Sequence, residues 1–108
     1  MPVLNKIAEA LKTSNEPLIT QIYDKAGKKL LAIGLRHGVA LPEHVTIAKA
    51  KLMVVQGEID LNTDTHSFRL ERFDSFEIPT DLKHTVVGVF DAVFLLLLGK
   101  PKQPPKKV

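Results

Sequence analysis

The fold of this chain is decided by two stretches of sequence. They are Gly38-Val-Ala-Leu-Pro-Glu-His44-Val-Thr46-Ile-Ala-Lys-Ala50 and Phe73-Asp-Ser-Phe-Glu-Ile-Pro79-Thr-Asp81-Leu-Lys-His84. Pro42 is predicted to open a strand, because a missing N–H does least harm at the first strand position. Side chains alternate between the two faces of a strand. One face of this strand is therefore predicted to carry His44, Thr46, Ala48 and Ala50.

Segments with strand-like composition surround these two stretches. Apolar residues at residues 4–12 have the spacing of a short amphipathic helix. A hairpin is predicted from strands at residues 18–24 and 29–36. The strand opened by Pro42 is predicted to continue through residues 51–56 to a turn at Gly57. Further strands are predicted at residues 58–61, 66–72, 75–78, 84–90 and 92–98, with a turn near Asp91. Many short strands with one small helix indicate an all-β sandwich or barrel.

The segment at residues 92–98, Ala-Val-Phe-Leu-Leu-Leu-Leu, does not alternate. Continuous apolarity in a strand indicates that both of its faces are buried. One face is predicted to enter the barrel, and the other is covered by the N-terminal helix or by a second subunit. The second possibility predicts a homodimer.

Length and composition limit the class of protein. The chain has 108 residues, of which 44% are hydrophobic and 25% are charged, as in a soluble single domain. It has no cysteine, which excludes disulfides and thiolate sites. The N-terminus lacks the apolar segment of a signal peptide, and the longest apolar run falls far short of the ~20 residues of a membrane span. A cytoplasmic protein without membrane contact is expected.

The net charge of +3 comes from the C-terminal end. Residues 1–99 carry 11 Lys and Arg against 12 Asp and Glu, so a domain over this range is almost neutral. No basic cluster marks a nucleic-acid surface, and no nucleic-acid partner is predicted. Residues 100–108, rich in Lys and Pro, are predicted to be a disordered basic tail.

Taken together, the two stretches resemble the two-part motif of the cupin superfamily, a group of small β-barrels that often hold a metal inside. The first part of that motif is Gly, five residues, His-x-His, three or four residues, Glu, six residues, Gly. The second is Gly, five residues, Pro-x-Gly, two residues, His, and then usually Asn. Five residues fall in register with it: Gly38, His44, Gly57, Pro79 and His84.

Other motif positions carry different residues here. Thr46 stands in place of the second His, and Ala50 in place of the Glu. Asp81 replaces the Gly after the proline, Phe73 replaces the opening Gly, and Val87 replaces the final Asn. The resemblance implies a cupin-type double-stranded β-helix over residues 30–98, with a degenerate metal site.

The resemblance also implies which residues form a site. His44 and His84 occupy two of the four metal-ligand positions, and one divalent Fe, Mn, Ni or Zn ion suits such imidazole ligands. The implied pocket consists of His44, Thr46, Ala48, Ala50 and His84, with Met53, Val86 and Phe94 as apolar neighbours.

Several functions are compatible with this set. The favoured one is a module that binds a small organic molecule. The first alternative is a metal-dependent enzyme, a dioxygenase or isomerase, that uses His44, His84 and water. His44 is also a candidate general base for metal-free catalysis, because an imidazole titrates near neutral pH. The last alternative is a structural homo-oligomer whose pocket has collapsed.

Overall fold

The strands and the one helix lie close to the positions that the sequence predicts. A computed structural model describes residues 2–44, 48–80 and 82–101. In chain order the elements are α1 (Pro2–Ala10), a 3-10 turn (Leu11–Thr13), β1 (Leu18–Lys25), β2 (Lys28–Leu35), β3 (Ala40–His44), β4 (Ala48–Asn62), β5 (Ser67–Leu70), β6 (Ser75–Ile78) and β7 (His84–Pro101). This confirms the all-β class with a short N-terminal helix.

Two long strands, β4 and β7, run through the whole fold as an antiparallel pair. One half of the sheet, which we call the first wing, contains residues 48–54 of β4 and residues 92–98 of β7. Its strand order is β1-β2-β7-β4-β6. The other halves of β4 and β7 belong to a second wing, in the order β3-β7-β4-β5. Side chains from both wings form one apolar core, for example Leu52 and Phe94 with Leu61 and Val86. The two wings therefore face each other across the interior.

The wings meet at a bend opposite Gly57. The predicted turns at Gly57 and Asp91 are wrong, because β4 and β7 both continue through these positions. The register of the pair shifts repeatedly between Val54 and Ile59, as in a series of β-bulges. Gly57 has a φ of 70°, and a Cβ atom there would lie 2.4 Å from the backbone oxygen of Asp91. Gly57 and Asp91, which each indicate a turn in the sequence, therefore lie together at a single bend.

The stretch predicted as one strand from Pro42 to Ala50 belongs to two strands. β3 pairs with β7 in the second wing, whereas Ala50 on β4 lies in the first wing. β3 begins at Ala40, so Pro42 does not open it. The proline is accommodated because β3 is an edge strand and its register shifts between Leu41 and His44, and prolines occur at edges and bulges.

The outer face of the last strand is covered by the N-terminal helix. Val93 is buried with Ile7 and Leu11, and Leu95 packs against the same cluster. The helix lies close to the sheet because Gly34 leaves room for it; a Cβ atom there would be 2.5 Å from Cγ2 of Ile7. Of the two covers that the sequence predicts for this face, the helix is therefore confirmed.

The end of β7 extends beyond the predicted domain boundary. The strand continues to Pro101, so the first two residues of the predicted tail are extended and paired, with Pro101 opposite Ala48. The remaining tail residues, 102–108, lie outside the described part of the chain. No helix among the described residues has the length and apolarity that crossing a membrane requires.

Candidate functional site

Ala50 lies on the inner face of the first wing, where the cupin motif would place a glutamate. It is 6% exposed and is paired with Leu98 of β7 on one side and Ile78 of β6 on the other. All three side chains belong to or pack against the apolar core. This part of the interior is therefore an apolar wall without a ligand atom.

His84 begins β7 and is 2% exposed, the one buried polar or charged residue among those that the structure describes. Its Nδ1 lies 2.9 Å from the backbone oxygen of Leu82. A carbonyl oxygen can only accept, so Nδ1 carries the hydrogen, and in the neutral ring the lone pair is on Nε2. A histidine whose Nδ1–H is held by a backbone carbonyl binds a metal, or accepts a proton, through Nε2.

The other predicted first-stretch residues are described only in part. The backbone register pairs His44 with His84, which places the two motif histidines at opposing positions of β3 and β7. Thr46 lies outside the described residues. For His44 and Ala48 the structure describes the backbone alone, and Ala48 is in β4.

The three apolar residues predicted to line the pocket do not share one environment. Val86 and Phe94 are buried in the core between the wings, and neither lines the cavity described below. Met53 is 37% exposed, so its placement inside the barrel is wrong. The reason is strand alternation: Leu52 and Val54 point inward, and Met53 between them points outward.

The described residues do not supply the four-donor metal site of the motif. No three His, Asp or Glu side chains within the described ranges are grouped as metal ligands. His84 fits a ligand position, since it is buried and its Nδ1 is held by a carbonyl. Ala50 does not fit, because it has no donor atom and lies in an apolar wall. Of the motif's metal ligands, the residues present in this sequence match histidine positions and do not match the glutamate position.

Three glycine positions of the motif share an unusual backbone conformation. Gly38 and Gly57 have φ values of 81° and 70°, and Phe73, which stands where the motif has its third glycine, has a φ of 72°. Glycine adopts this left-handed region without the steric cost that a Cβ atom brings. The agreement at all three positions supports the register in which the two stretches were aligned with the motif.

Phe73→Gly is expected to stabilise the protein by about 0.5–1 kcal/mol. A left-handed non-glycine residue costs roughly 1–2 kcal/mol, and the greater entropy of glycine in the unfolded chain offsets part of that gain. The Phe73 side chain is 67% exposed, so little buried area is lost. Urea unfolding of the variant and the wild type measures the difference. Phe73→Ala, which keeps the Cβ atom, is the control and should not be stabilised; equal effects of the two substitutions would contradict the strain argument.

A groove of about 510 Å³ opens at the end of the first wing that is far from the bend. Its floor is the outer face of the sheet around Leu97 and Gly99, with Pro79 of the second motif stretch beside them. Ala50 and Ile78 also line the groove, although their side chains point into the core on the other face. The complete set of lining residues is Lys28, Lys49, Ala50, Lys51, Glu77, Ile78, Pro79, Thr80, Leu97 and Gly99. We call this cavity the end groove.

Most of the end groove was not predictable from the sequence. Of its lining residues, Ala50 alone belonged to the predicted pocket. The groove is formed where the start of β2, the start of β4, the end of β6 and the end of β7 lie side by side. The strand pairing that brings these four ends together was the missing information, although Pro79 was recognised as a motif residue.

Comparison with known proteins shows which fold this is. No family model and no curated protein matches the sequence. Among solved structures, a cupin superfamily protein from Desulfitobacterium hafniense superposes with a TM-score of 0.76 at 16% identity, covering 81% of this chain and 80% of its own. An RmlC-like cupin with a double-stranded β-helix fold from Methanocaldococcus jannaschii has a TM-score of 0.73 at 14% identity, with 83% and 85% covered.

A third similar structure is described as a putative mannose-6-phosphate isomerase from Ralstonia eutropha. It has a TM-score of 0.71 at 19% identity, and the match covers 82% of this chain and 88% of that one. At such identities the likeness shows the architecture and no activity. The chain has the cupin fold, a double-stranded β-helix, as the motif resemblance implied.

Proposed function

We propose that this cupin-fold chain is a binding module that holds a small organic molecule in the end groove. The observation that carries the proposal is the groove itself, about 510 Å³ in volume, with Ala50 of the first motif stretch and Pro79 of the second among its lining residues. Sites for small molecules are commonly concave, about 300–1,000 Å³ in volume, and partly apolar with a few polar groups.

The chemistry of the groove walls supports binding better than it supports a reaction. Leu97, which is 42% exposed, provides the apolar floor, and Pro79 lies at its side, whereas the side chains of Ala50 and Ile78 are packed in the core behind the groove. Lys51 and Glu77 face each other across β4 and β6 as direct strand partners at the rim. An apolar body of a ligand would lie on the floor while its polar groups meet the charged rim.

Gly99→Val is expected to weaken ligand binding at least about tenfold, because its side chain would occupy space in the groove. The substitution is compatible with the fold, since a Cβ atom at Gly99 would meet its nearest neighbours, atoms of Lys49, at 3.5 Å, an ordinary contact. A thermal-shift screen of a fragment library against the wild type identifies ligands. Titration of each hit against both proteins then gives the ratio of affinities.

Ser75→Val is the matched control, since Ser75 is an exposed strand residue of β6 that does not line the end groove. Hits should bind this control as they bind the wild type. Ligands that bind all three proteins equally would contradict the proposal, because their site would lie elsewhere.

The second candidate is a metal-dependent enzyme. It is favoured by the opposed positions of His44 and His84 in the backbone register and by the Nδ1–H of His84 held on the Leu82 carbonyl. These two imidazoles would be the protein ligands, and the metal would act as a Lewis acid toward a bound substrate. The proposal is less favoured because the motif's glutamate position is Ala50.

Elemental analysis separates the two candidates. Protein purified without chelator is measured beside a His44→Ala/His84→Ala variant. Near one equivalent of Fe, Mn, Ni or Zn in the wild type, lost in the variant, would support the enzyme. Protein that neither carries nor takes up these ions would remove that candidate and leave the binding module.

We also propose that the chain forms a homodimer through the part of the outer face that α1 leaves uncovered. Met53, at 37% exposure, is an apolar residue on that face that does not line the end groove. Light scattering after size exclusion measures the mass. A monomer at all concentrations would contradict this assembly without affecting the binding proposal.

A further inference from the structure

The end groove has an excess of positive charge on a protein body that is nearly neutral. Among the residues that the structure describes, its rim carries Lys28, Lys49 and Lys51 against one carboxylate, Glu77. Residues 1–99 as a whole carry one more acidic than basic residue. A concave site lined by one sign of charge raises the local concentration of ligands with the opposite sign.

The groove lysines make no ion pairs with the side chains that the structure describes. The ion pairs within the described ranges join Lys12 to Glu9, and Arg69 to Glu58 and Asp60. Lys51 is the direct strand partner of Glu77, yet no ion pair joins them. The contrast with Arg69 is informative, because its guanidinium is held by two carboxylates, and Asp60 in particular raises its pKa.

The strand register adds to this charge imbalance. Lys28 is paired directly with Lys25 across the β1–β2 hairpin, next to the groove. Like charges directly opposite each other destabilise an antiparallel pair. Lys49 and Lys51 are two apart on β4 and so share a face. Natural proteins depart from favourable local interactions mainly at functional sites.

The groove therefore combines two kinds of surface. Its floor, with the exposed Leu97, is apolar, whereas its rim presents lysine ammonium groups that pair with no carboxylate among the described side chains. A lysine ammonium is a flexible point charge that attracts carboxylates and phosphates alike, without the fixed fork geometry of an arginine. A ligand that satisfies both surfaces has an apolar body and one anionic end.

We infer that the end groove selects amphiphilic organic anions, that is, small carboxylates or phosphate monoesters with an apolar body. This inference rests on the proposed binding function and specifies its ligand class. The anionic end is held by Lys49 and Lys51, with Lys28 opposite them across the groove, and the body lies against Leu97, the exposed strand partner of Lys51.

The test uses the full-length chain and four probes: hexanoate, its neutral isostere hexanamide, hexyl phosphate and inorganic phosphate. Isothermal titration at low salt gives the affinity of each. Hexanoate or hexyl phosphate is expected to bind at least about tenfold more tightly than hexanamide, and more tightly than inorganic phosphate, which has no apolar body. Which of the two organic anions binds better distinguishes a carboxylate ligand from a phosphate ester.

Lys49→Gln/Lys51→Gln is expected to remove the preference for hexanoate over hexanamide. Both residues are exposed, so the variant should fold, and its unfolding midpoint checks this. Lys6→Gln is the control, an exposed lysine of α1 that does not line the groove. It should leave every affinity unchanged.

The outcomes distinguish the two proposals. If hexanoate and hexanamide bind equally and both lose affinity in Gly99→Val, the groove binds small molecules but the anion inference is wrong. If inorganic phosphate binds as tightly as hexyl phosphate, the apolar floor contributes nothing and the inference is also wrong. If no probe or library fragment responds to Gly99→Val, the binding function itself is contradicted.

Discussion

Gly57→Ala is expected to destabilise the protein by about 3 kcal/mol, the largest loss for any exchange of a motif glycine. Two costs add at this position. The left-handed φ of 70° is unfavourable for alanine, and the new Cβ atom would lie 2.4 Å from the backbone oxygen of Asp91. Relief requires the β4–β7 pair to move apart at the bend on which both wings depend. Urea unfolding measures the loss, which in a domain of this size lowers the melting temperature by roughly 12 °C or more.

Gly38→Ala is the matched comparison, because it isolates the first of these costs. Gly38 also has a left-handed φ, of 81°, but a Cβ atom there would meet nothing within 4 Å. Its expected loss is about 1–2 kcal/mol. Equal losses for the two variants would mean that the bend tolerates a side chain and that the close approach to Asp91 is not required.

Thr46→His/Ala50→Glu is expected to create a metal site. The double exchange restores the two ligand types that this sequence lacks relative to the cupin motif, beside His44 and His84. Affinity for Ni²⁺ or Zn²⁺ should rise by about 100-fold or more over the wild type, which corresponds to ~2.8 kcal/mol from two added ligands. Titration calorimetry of the metal-free proteins measures this ratio.

The apolar wall around residue 50 provides a second readout for this variant. Without metal, a carboxylate between Leu98 and Ile78 is buried without a partner, which costs stability. Added metal should then raise the melting temperature of the double variant far more than that of the wild type. Ala50→Glu alone is the control, because it carries the same loss of stability but adds one metal ligand instead of two. A double variant that binds metal no better than the wild type would contradict the motif alignment at these positions.

The strands were predictable from the sequence because their signals are local. β6 was predicted with the observed bounds, and the helix and the first hairpin agree closely. The bend was not predictable, because glycine at residue 57 and aspartate at residue 91 indicate turns when each is considered alone. They lie close to each other only after β4 and β7 have paired, and that pairing joins residues far apart in sequence.

The residues of the candidate site were likewise predictable where a single strand carries the signal and not predictable where several strands must come together. Ala50, Val86 and Phe94 are buried, which is consistent with an inward orientation, because motif position and alternation describe a single strand well. Met53 was misplaced even though alternation from Ala50 would have selected Leu52 instead. The lysines of the end groove carry no motif, and they were grouped only when the register aligned the ends of separate strands.

The location of a bound hexanoate ion shows whether the ligand site is the end groove or the pair of histidines. A ¹H–¹⁵N correlation spectrum of the full chain, recorded during titration, reports which backbone amides change environment. The account predicts that the largest changes are at Ala50, Ile78 and Gly99 around the end groove, with little change at Val86. Changes centred on His84 and Val86, with the end groove unaffected, would contradict the account and return the site to the two histidines.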